Sequence, residues 1–332
     1  MLSYIARRVL YIIPILLVIS VISFALIQLP PGDYLTSYIA QLSETGESVD
    51  EAMIVSLKKR YGLDRPIYIQ YFMWMSGVLH GDFGQSFEWN KPVSELIWGR
   101  LALTVTLSLF SLVFTYFVAI PIGIYSATHQ YSPSDYFFTF TGFFGLATPN
   151  FLLALVLMFL FYKYFGLAVG GLFSPQFVEA PWNLAKIIDM MNHMWIPVIV
   201  IGTAGTCGLI RVMRGCLLDE LRKQYVITAR AKGLSERFLL FKYPVRLAVN
   251  PIISTIGWTL PNIISGATIT AVVLSLPTTG PLLLRSLISQ DMYLAGSFIL
   301  FLAALTVIGT LISDILLAWI DPRIRYERKA AE

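Results

Sequence analysis

Apolar and polar residues do not alternate along this chain; they come in long blocks. Uncharged runs cover residues 9–32, 101–134, 136–162, 194–210, 247–284 and 292–313. A bilayer core takes roughly 20 apolar residues per helix, and about 17 suffice. The blocks predict six spanning helices near 9–29, 102–127, 137–162, 194–214, 252–275 and 293–317. The fifth run is longer than one span, and Pro251 and Pro277 mark its limits. The first run is too long for the hydrophobic part of a usual leader, and no clear small-residue cleavage site precedes Pro30; it is expected to be retained as a helix.

Between the blocks the chain turns polar in two places. Residues 30–100 are too long for a simple loop. "SVDE" from Ser48 to Glu51 is a capping-box pattern, followed by helical spacing up to Gly62. "PIYIQYFMWMSGVLHG" predicts a second helix from Pro66, with Tyr68, Tyr71, Phe72 and Trp74 suited to a membrane interface. "GDFGQSF" is a turn-rich link. The insert is either a packed lid or a docking surface for an external protein, and Lys58, Lys59, Arg60, Asp82 and Phe83 are its candidate docking residues. The second polar place is 215–250. There "YVITARAKGLSERF" reads as a cationic helix of small residues stopped by Gly233, then a second helix, "RFLLFKYPVRLAV", leading back to the membrane.

Composition agrees with the blocks. Mean hydropathy is +0.70, and 13% of residues are charged against about a quarter in a soluble domain. Lys and Arg fix an expected orientation. Arg7 and Arg8 precede the first span, nine basic residues lie from Arg211 to Arg246, and four (Arg323, Arg325, Arg328, Lys329) follow the sixth. With an even number of spans all three clusters fall on one side, so both termini are expected in the cytoplasm. The net charge of +4 then reports topology, and no nucleic-acid partner is expected.

Much chemistry is missing from the sequence. It has three histidines without an H-E-x-x-H, no Cys/His cluster, no phosphate-binding G-x-x-x-x-G-K-[ST] and no G-x-S-x-G. Cys207 and Cys216 are nine residues apart on one helical pattern, hence on opposite faces. No catalytic residue, metal site or cofactor is expected in the chain. Asp314 is the main intramembrane charge, whereas ion-coupled carriers show several. A stand-alone carrier or channel is the second reading.

A basic helix beside a membrane fits either anionic lipid or an acidic protein surface. Residues 225–246 resemble the cytoplasmic loop of binding-protein-dependent ABC importer permeases, whose general pattern is E-A-A-x-x-x-G-x9-I-x-L-P. Ile227, Thr228, Ala229 and Gly233 match E, A, A and G; Tyr243, Val245 and Arg246 match I, L and P. The "ARAKGLSER" form resembles the oligopeptide, dipeptide and nickel branch. So do "YIARRVLYIIPILLVISVISFALIQLPPGD", "YGLDRPIYIQYFMWMSGVLHGDFGQSF", "PVSELIWGRLALTVTLSL" and "DPRIR", which together cover nearly the whole chain.

The resemblance implies an all-α membrane protein of the type I importer permease fold: residues 1–29 as terminus and first helix, 30–100 as an extracytoplasmic scoop-like insert, and 101–332 as the core with a coupling loop at 215–250. It also implies a multi-pass protein of the bacterial inner membrane. Its partners would be a second homologous permease, two cytosolic ATPase subunits that bind ATP and Mg, a solute-binding protein and membrane lipid. Tyr225, Thr228, Ala229, Arg230, Ala231, Lys232, Gly233 and Glu236 would form the helix seated in an ATPase groove. One stretch departs from the branch. At 266–287, "GATITAVVLSLPTTGPLLLRSL" has Ala271 where a glutamate is common, and Leu274, Pro281 and Arg285 also differ. The loss of an acid there shifts the expected solute from an oligopeptide slightly toward an oligosaccharide. The aromatic-rich 137–144 stretch, expected in the interior, suits either.

Overall fold

The computed structural model describes residues 2–28, 64–167, 169–256 and 267–320. Its helices are α1 (Leu2–Gln28), α2 (Ile67–Leu79), α3 (Val93–Thr128), α4 (Pro133–Ala147), α5 (Asn150–Phe165), α6 (Leu184–Leu221), α7 (Gln224–Ala231), α8 (Glu236–Lys242), α9 (Pro244–Ala248), α10 (Asn250–Ser254), α11 (Thr268–Val273), α12 (Thr279–Ile288) and α13 (Met292–Ile320). Among the described residues, β pairing is confined to one antiparallel bridge between Gln85 and Pro92. Among the described residues, three helical segments are long and apolar enough to cross a membrane: α3, α6 and residues 292–312 of α13.

The third expected span is not one straight helix. α4 and α5 meet at a 102° bend. The cause is local: Thr148 precedes Pro149 and takes an extended conformation, as the residue before a proline is pushed to do. The fourth span is longer than its apolar run. Asn183 caps α6 by accepting the Lys186 N–H at 2.8 Å, so the helix starts at Leu184, ahead of the span expected from 194. The stretch after Gly233 is likewise two helices rather than one. Pro244 has no N–H to donate, so α8 closes at Lys242 and α9 restarts with proline at its first position. Residues 257–266, within the fifth expected span, lie outside the described residues, as do 29–63 with the capping box and Lys58, Lys59 and Arg60.

The chain divides into two compact units, Met1–Thr104 with Pro277–Val307 and Val105–Leu276 with Ile308–Glu332. In the first unit α2 packs on α1. The Tyr71 hydroxyl and Ser20 Oγ lie 2.9 Å apart, and Phe24 meets the rings of Tyr71 and Trp74 at 5.4 and 5.8 Å. Of the aromatics expected at an interface, Tyr68 and Phe72 are exposed while Trp74 is buried. The link after α2 is tied down by Asp291. That carboxylate accepts Ser86 Oγ at 2.5 Å and the Phe87 N–H at 2.8 Å.

In the second unit α6 is the hub, contacting α4, α5, α9 and α10. Leu209, Ile210, Met213 and Leu217 of α6 form one core with Ala119 and Ala127 of α3 and with Val245, Ala248 and Ile252 of α9 and α10. The segment after α7 is thereby returned onto α6. Phe137, Phe143 and Phe144 of α4 are exposed rather than interior in this chain, because α4 turns Asp135, Gly142 and Gly145 inward instead.

Candidate coupling site

The site begins where α6 ends. After only Arg222 and Lys223, the short helix α7 starts. The Tyr225 hydroxyl donates to Glu220 Oε2, which pins the first turn of α7 to the last turn of α6. Burial, with this hydrogen bond to a carboxylate, raises the Tyr225 pKa, so its phenol stays a donor at neutral pH. On the inner side of α7, Val226 and Ala229 are buried against Leu239, with Leu234 and Tyr243 packed around them.

The end of α7 is a Schellman turn. Gly233 has φ +79°, in the left-handed region. Its N–H donates to Arg230 O at 3.0 Å, and the Leu234 N–H reaches back to Ala229 O at 3.4 Å. An ideal Cβ on Gly233 would meet nothing within 4 Å. Glycine is therefore required here by backbone conformation and not by crowding within the chain. Across the turn, Arg230 forms a two-pronged pair with Glu236, Nε to Oε1 at 2.6 Å and Nη2 to Oε2 at 3.1 Å. The pair is exposed, and the Arg230 guanidinium holds the Glu236 carboxyl below its ordinary value.

These contacts sort the sequence-predicted residues. Tyr225, Ala229, Arg230, Gly233 and Glu236 fix the position of α7 relative to α6 and α8. The exposed residues of α7 include Gln224, Ile227, Thr228 and Ala231, one face at helical spacing, with Lys232 just beyond. Ala229 was expected among the small residues offered to a partner; it is buried under Leu239 because it faces the helix that Gly233 folds back. Ile227, matched above only by its place in the motif, is 48% exposed.

In the first unit, Asp82 is exposed and its Oδ1 accepts the Gly84 N–H at 2.9 Å. Phe83 is half-buried, its ring 5.0 Å from that of Phe301. Sequence reasoning missed one group altogether. Asp135, buried, and Arg214, partly exposed, form a two-pronged ion pair, at 2.9 and 2.8 Å, joining α4 to α6. The available signal was "SPSD", a capping pattern with its acid in the first helical turn, and an arginine near the end of an apolar run.

Residues 119–326 match the family described as the binding-protein-dependent transport system inner membrane component, and residues 1–108 match the N-terminal membrane component of the same systems. The chain belongs to this permease family. Among its relatives, the oligopeptide transport system permease protein AppB of Bacillus subtilis is 38% identical, over 98% of this chain and 100% of its own length. The dipeptide transport system permease protein DppB of Alkalihalophilus pseudofirmus is 31% identical over the same shares. The glutathione transport system permease protein GsiC of Salmonella paratyphi A is 30% identical, again over 98% and 100%. The permease is thus of the peptide-type branch that its loop and insert motifs resemble. Its α7, Gly233 turn and α8 fall within the matched 119–326 segment.

Proposed function

We propose that this permease forms half of the membrane pathway of an ATP-driven importer for peptides, with α7 as the helix that receives force from a cytosolic ATPase. The observation that carries this reading is the construction of α7. One face is locked to its own chain by Val226, Ala229, the Tyr225–Glu220 bond and the Schellman turn. The other presents Gln224, Ile227, Thr228 and Ala231 outward. A short helix that is fixed on one side and unfilled on the other transmits a push rather than absorbing it.

Six spans with both termini in the cytoplasm of a bacterial inner membrane, a second homologous permease, two ATPases that bind ATP and Mg, and a solute-binding protein complete the proposal. The relatives are named for oligopeptide, dipeptide and glutathione, which supports a peptide solute. The lean toward an oligosaccharide finds no support among them. Its premise also weakens, because Ala271 is a buried residue of α11 whose carbonyl accepts the Leu276 N–H.

Gly233→Asp tests the reading. Left-handed backbone costs a non-glycine residue roughly 1 kcal/mol, and no atom of this chain obstructs the new Cβ. The permease should insert and remain stable while uptake is lost and ATPase attachment or solute-stimulated hydrolysis fails. Co-purification and liposome assays read both. Normal attachment with normal stimulated hydrolysis would replace the coupling helix with a helix resting on lipid.

A further inference from the structure

Asp135 lies in the first turn of α4 and is 2% exposed. Four hydrogen bonds converge on it. Arg214 donates from Nε to Oδ1 at 2.9 Å and from Nη2 to Oδ2 at 2.8 Å. Ser126 Oγ of α3 donates to Oδ1 at 2.5 Å, and the Tyr131 N–H of the intervening turn donates to Oδ2 at 2.9 Å. One carboxylate thus joins α3, α4 and α6.

α4 and α6 touch again farther along. A Cβ added to Gly145 would stand 2.5 Å from Cys207 Sγ and 3.3 Å from Thr203 Cγ2, so the two helices meet there without a side chain between them. The contacts run 135 to 145 on α4 and 214 to 207 on α6, in opposite directions. The helices are antiparallel and held at two points about 15 Å apart along α4. At its other end α6 continues two turns past Arg214 to Leu221, where Tyr225 hooks α7 to Glu220. α4 in turn leads into the 102° bend before α5.

We propose that the Asp135–Arg214 pair is the tie through which displacement of α7 and α6 is carried into α4 and its bend, making both residues positioning residues of the transport step. The proposal rests on the coupling-helix reading above. Its physical basis is the difference between the two α4–α6 contacts. Apolar packing such as Gly145 on Cys207 sets the separation of the helices but is non-directional and lets them slide. A two-pronged guanidinium–carboxylate pair fixes their register as well. Lysine at 214 would keep the charge and lose the fork. A neutral pair of similar bulk would spare the fold the cost of a buried, unpaired charge yet lose the directional link.

The test uses the complete transporter, with its ATPases, in liposomes. Arg214→Lys and the double variant Asp135→Asn/Arg214→Leu are compared with the parent for thermal stability, ATPase co-purification and solute moved per ATP hydrolysed. The double variant should assemble with near-parent stability. Both should lower solute per ATP about 5-fold to 100-fold, the usual range of a coupling energy between sites. If either variant assembles poorly, the ratio is read on the assembled fraction, where the same drop is expected. An unchanged ratio in both overturns the tie, as does recovery of the parent ratio in the double variant alone, which marks the pair as a staple. Gly233→Asp run in parallel separates the two ideas. If that variant attaches and hydrolyses normally, the coupling helix fails; if only the ratio of the pair variants is normal, the tie fails alone.

Discussion

Two buried aspartates stand at the starts of apolar helices, one in each compact unit. Asp135 lies in the first turn of α4, and Asp291 immediately precedes α13. Both are at most 2% exposed; Asp135 organises the turn just before its helix, and Asp291 the sequence-distant 86–88 turn. Asp291 takes Ser86 Oγ, the Phe87 and Glu88 N–H groups and, as a cap, the Leu294 N–H at 3.2 Å. Asp135 takes a similar hydroxyl and backbone N–H but adds the Arg214 fork. Among the described residues, no cation bonds Asp291.

The electrostatic outcomes are opposite. The Arg214 guanidinium holds Asp135 well below the ordinary carboxylate range, against the effect of burial. Burial raises the Asp291 pKa, and its neutral donors offset that only in part. Neutral donors satisfy the lone pairs of a carboxylate, but a cation is needed to keep its charge cheap inside a protein. The second unit therefore depends on a pair, and the first on a cap.

The largest expected effect comes from turning the first case into the second. Arg214→Leu leaves Asp135 buried with only Ser126 and Tyr131 as donors. Removing one partner of a buried pair costs about 3–5 kcal/mol. Thermal unfolding in nanodiscs should show the loss, and Asp135→Asn in the same background should return most of it. A loss below about 1 kcal/mol, the range of exposed pairs, would mean that the site hydrates and that the contrast with Asp291 is overstated.

The next effect is smaller because no charge is stranded. Asp291→Asn keeps one acceptor oxygen but points an amide toward donors that need an acceptor. The expected cost is about 1–3 kcal/mol, that of leaving buried donors unmatched. Hydrogen exchange should quicken at Phe87, Glu88 and Leu294 and stay unchanged at Tyr131. Equal quickening in both units would show that the two aspartates are not independent.

How much of this was legible beforehand follows the same division. Long uncharged runs show where helices lie, and proline and glycine show where they stop, because both act through local backbone geometry. Gly233 at a left-handed helix end is such a case. The bend at Thr148 and Pro149 was legible in principle, since Pro149 stands inside an apolar run, but the length of the run outweighed it. The burial of Ala229 was not legible because a small residue fits a partner's surface and its own core equally well, and only the fold-back of α8 turns it inward. Asp135 and Arg214 are 79 residues apart, and Asp291 and Ser86 are 205 apart. No periodicity reports a contact at such separation, so each charge looked like the edge of a loop.

The smallest effect is a difference in pH dependence. The folded pKa of Asp291 is raised above its unfolded value. Between those two values the folded state binds more protons than the unfolded one, so stability falls as pH rises through that window. Acidification from neutral pH toward the raised pKa should therefore strengthen the 86–88 turn and the start of α13. Asp135 has the opposite sign. Its folded pKa is depressed, so its contribution is full above the ordinary carboxylate value and is lost only as pH falls below that, toward strong acid. Over the mildly acidic range, opening free energies from hydrogen exchange, corrected for the intrinsic rate, should rise at Phe87 and Leu294 and stay level at Tyr131. Asp291→Asn should flatten the first trend and leave the second alone. If protection at Phe87 falls on acidification, the hydrogen bonds from Ser86 and the backbone outweigh burial at Asp291, and the two carboxylates are alike in sign after all.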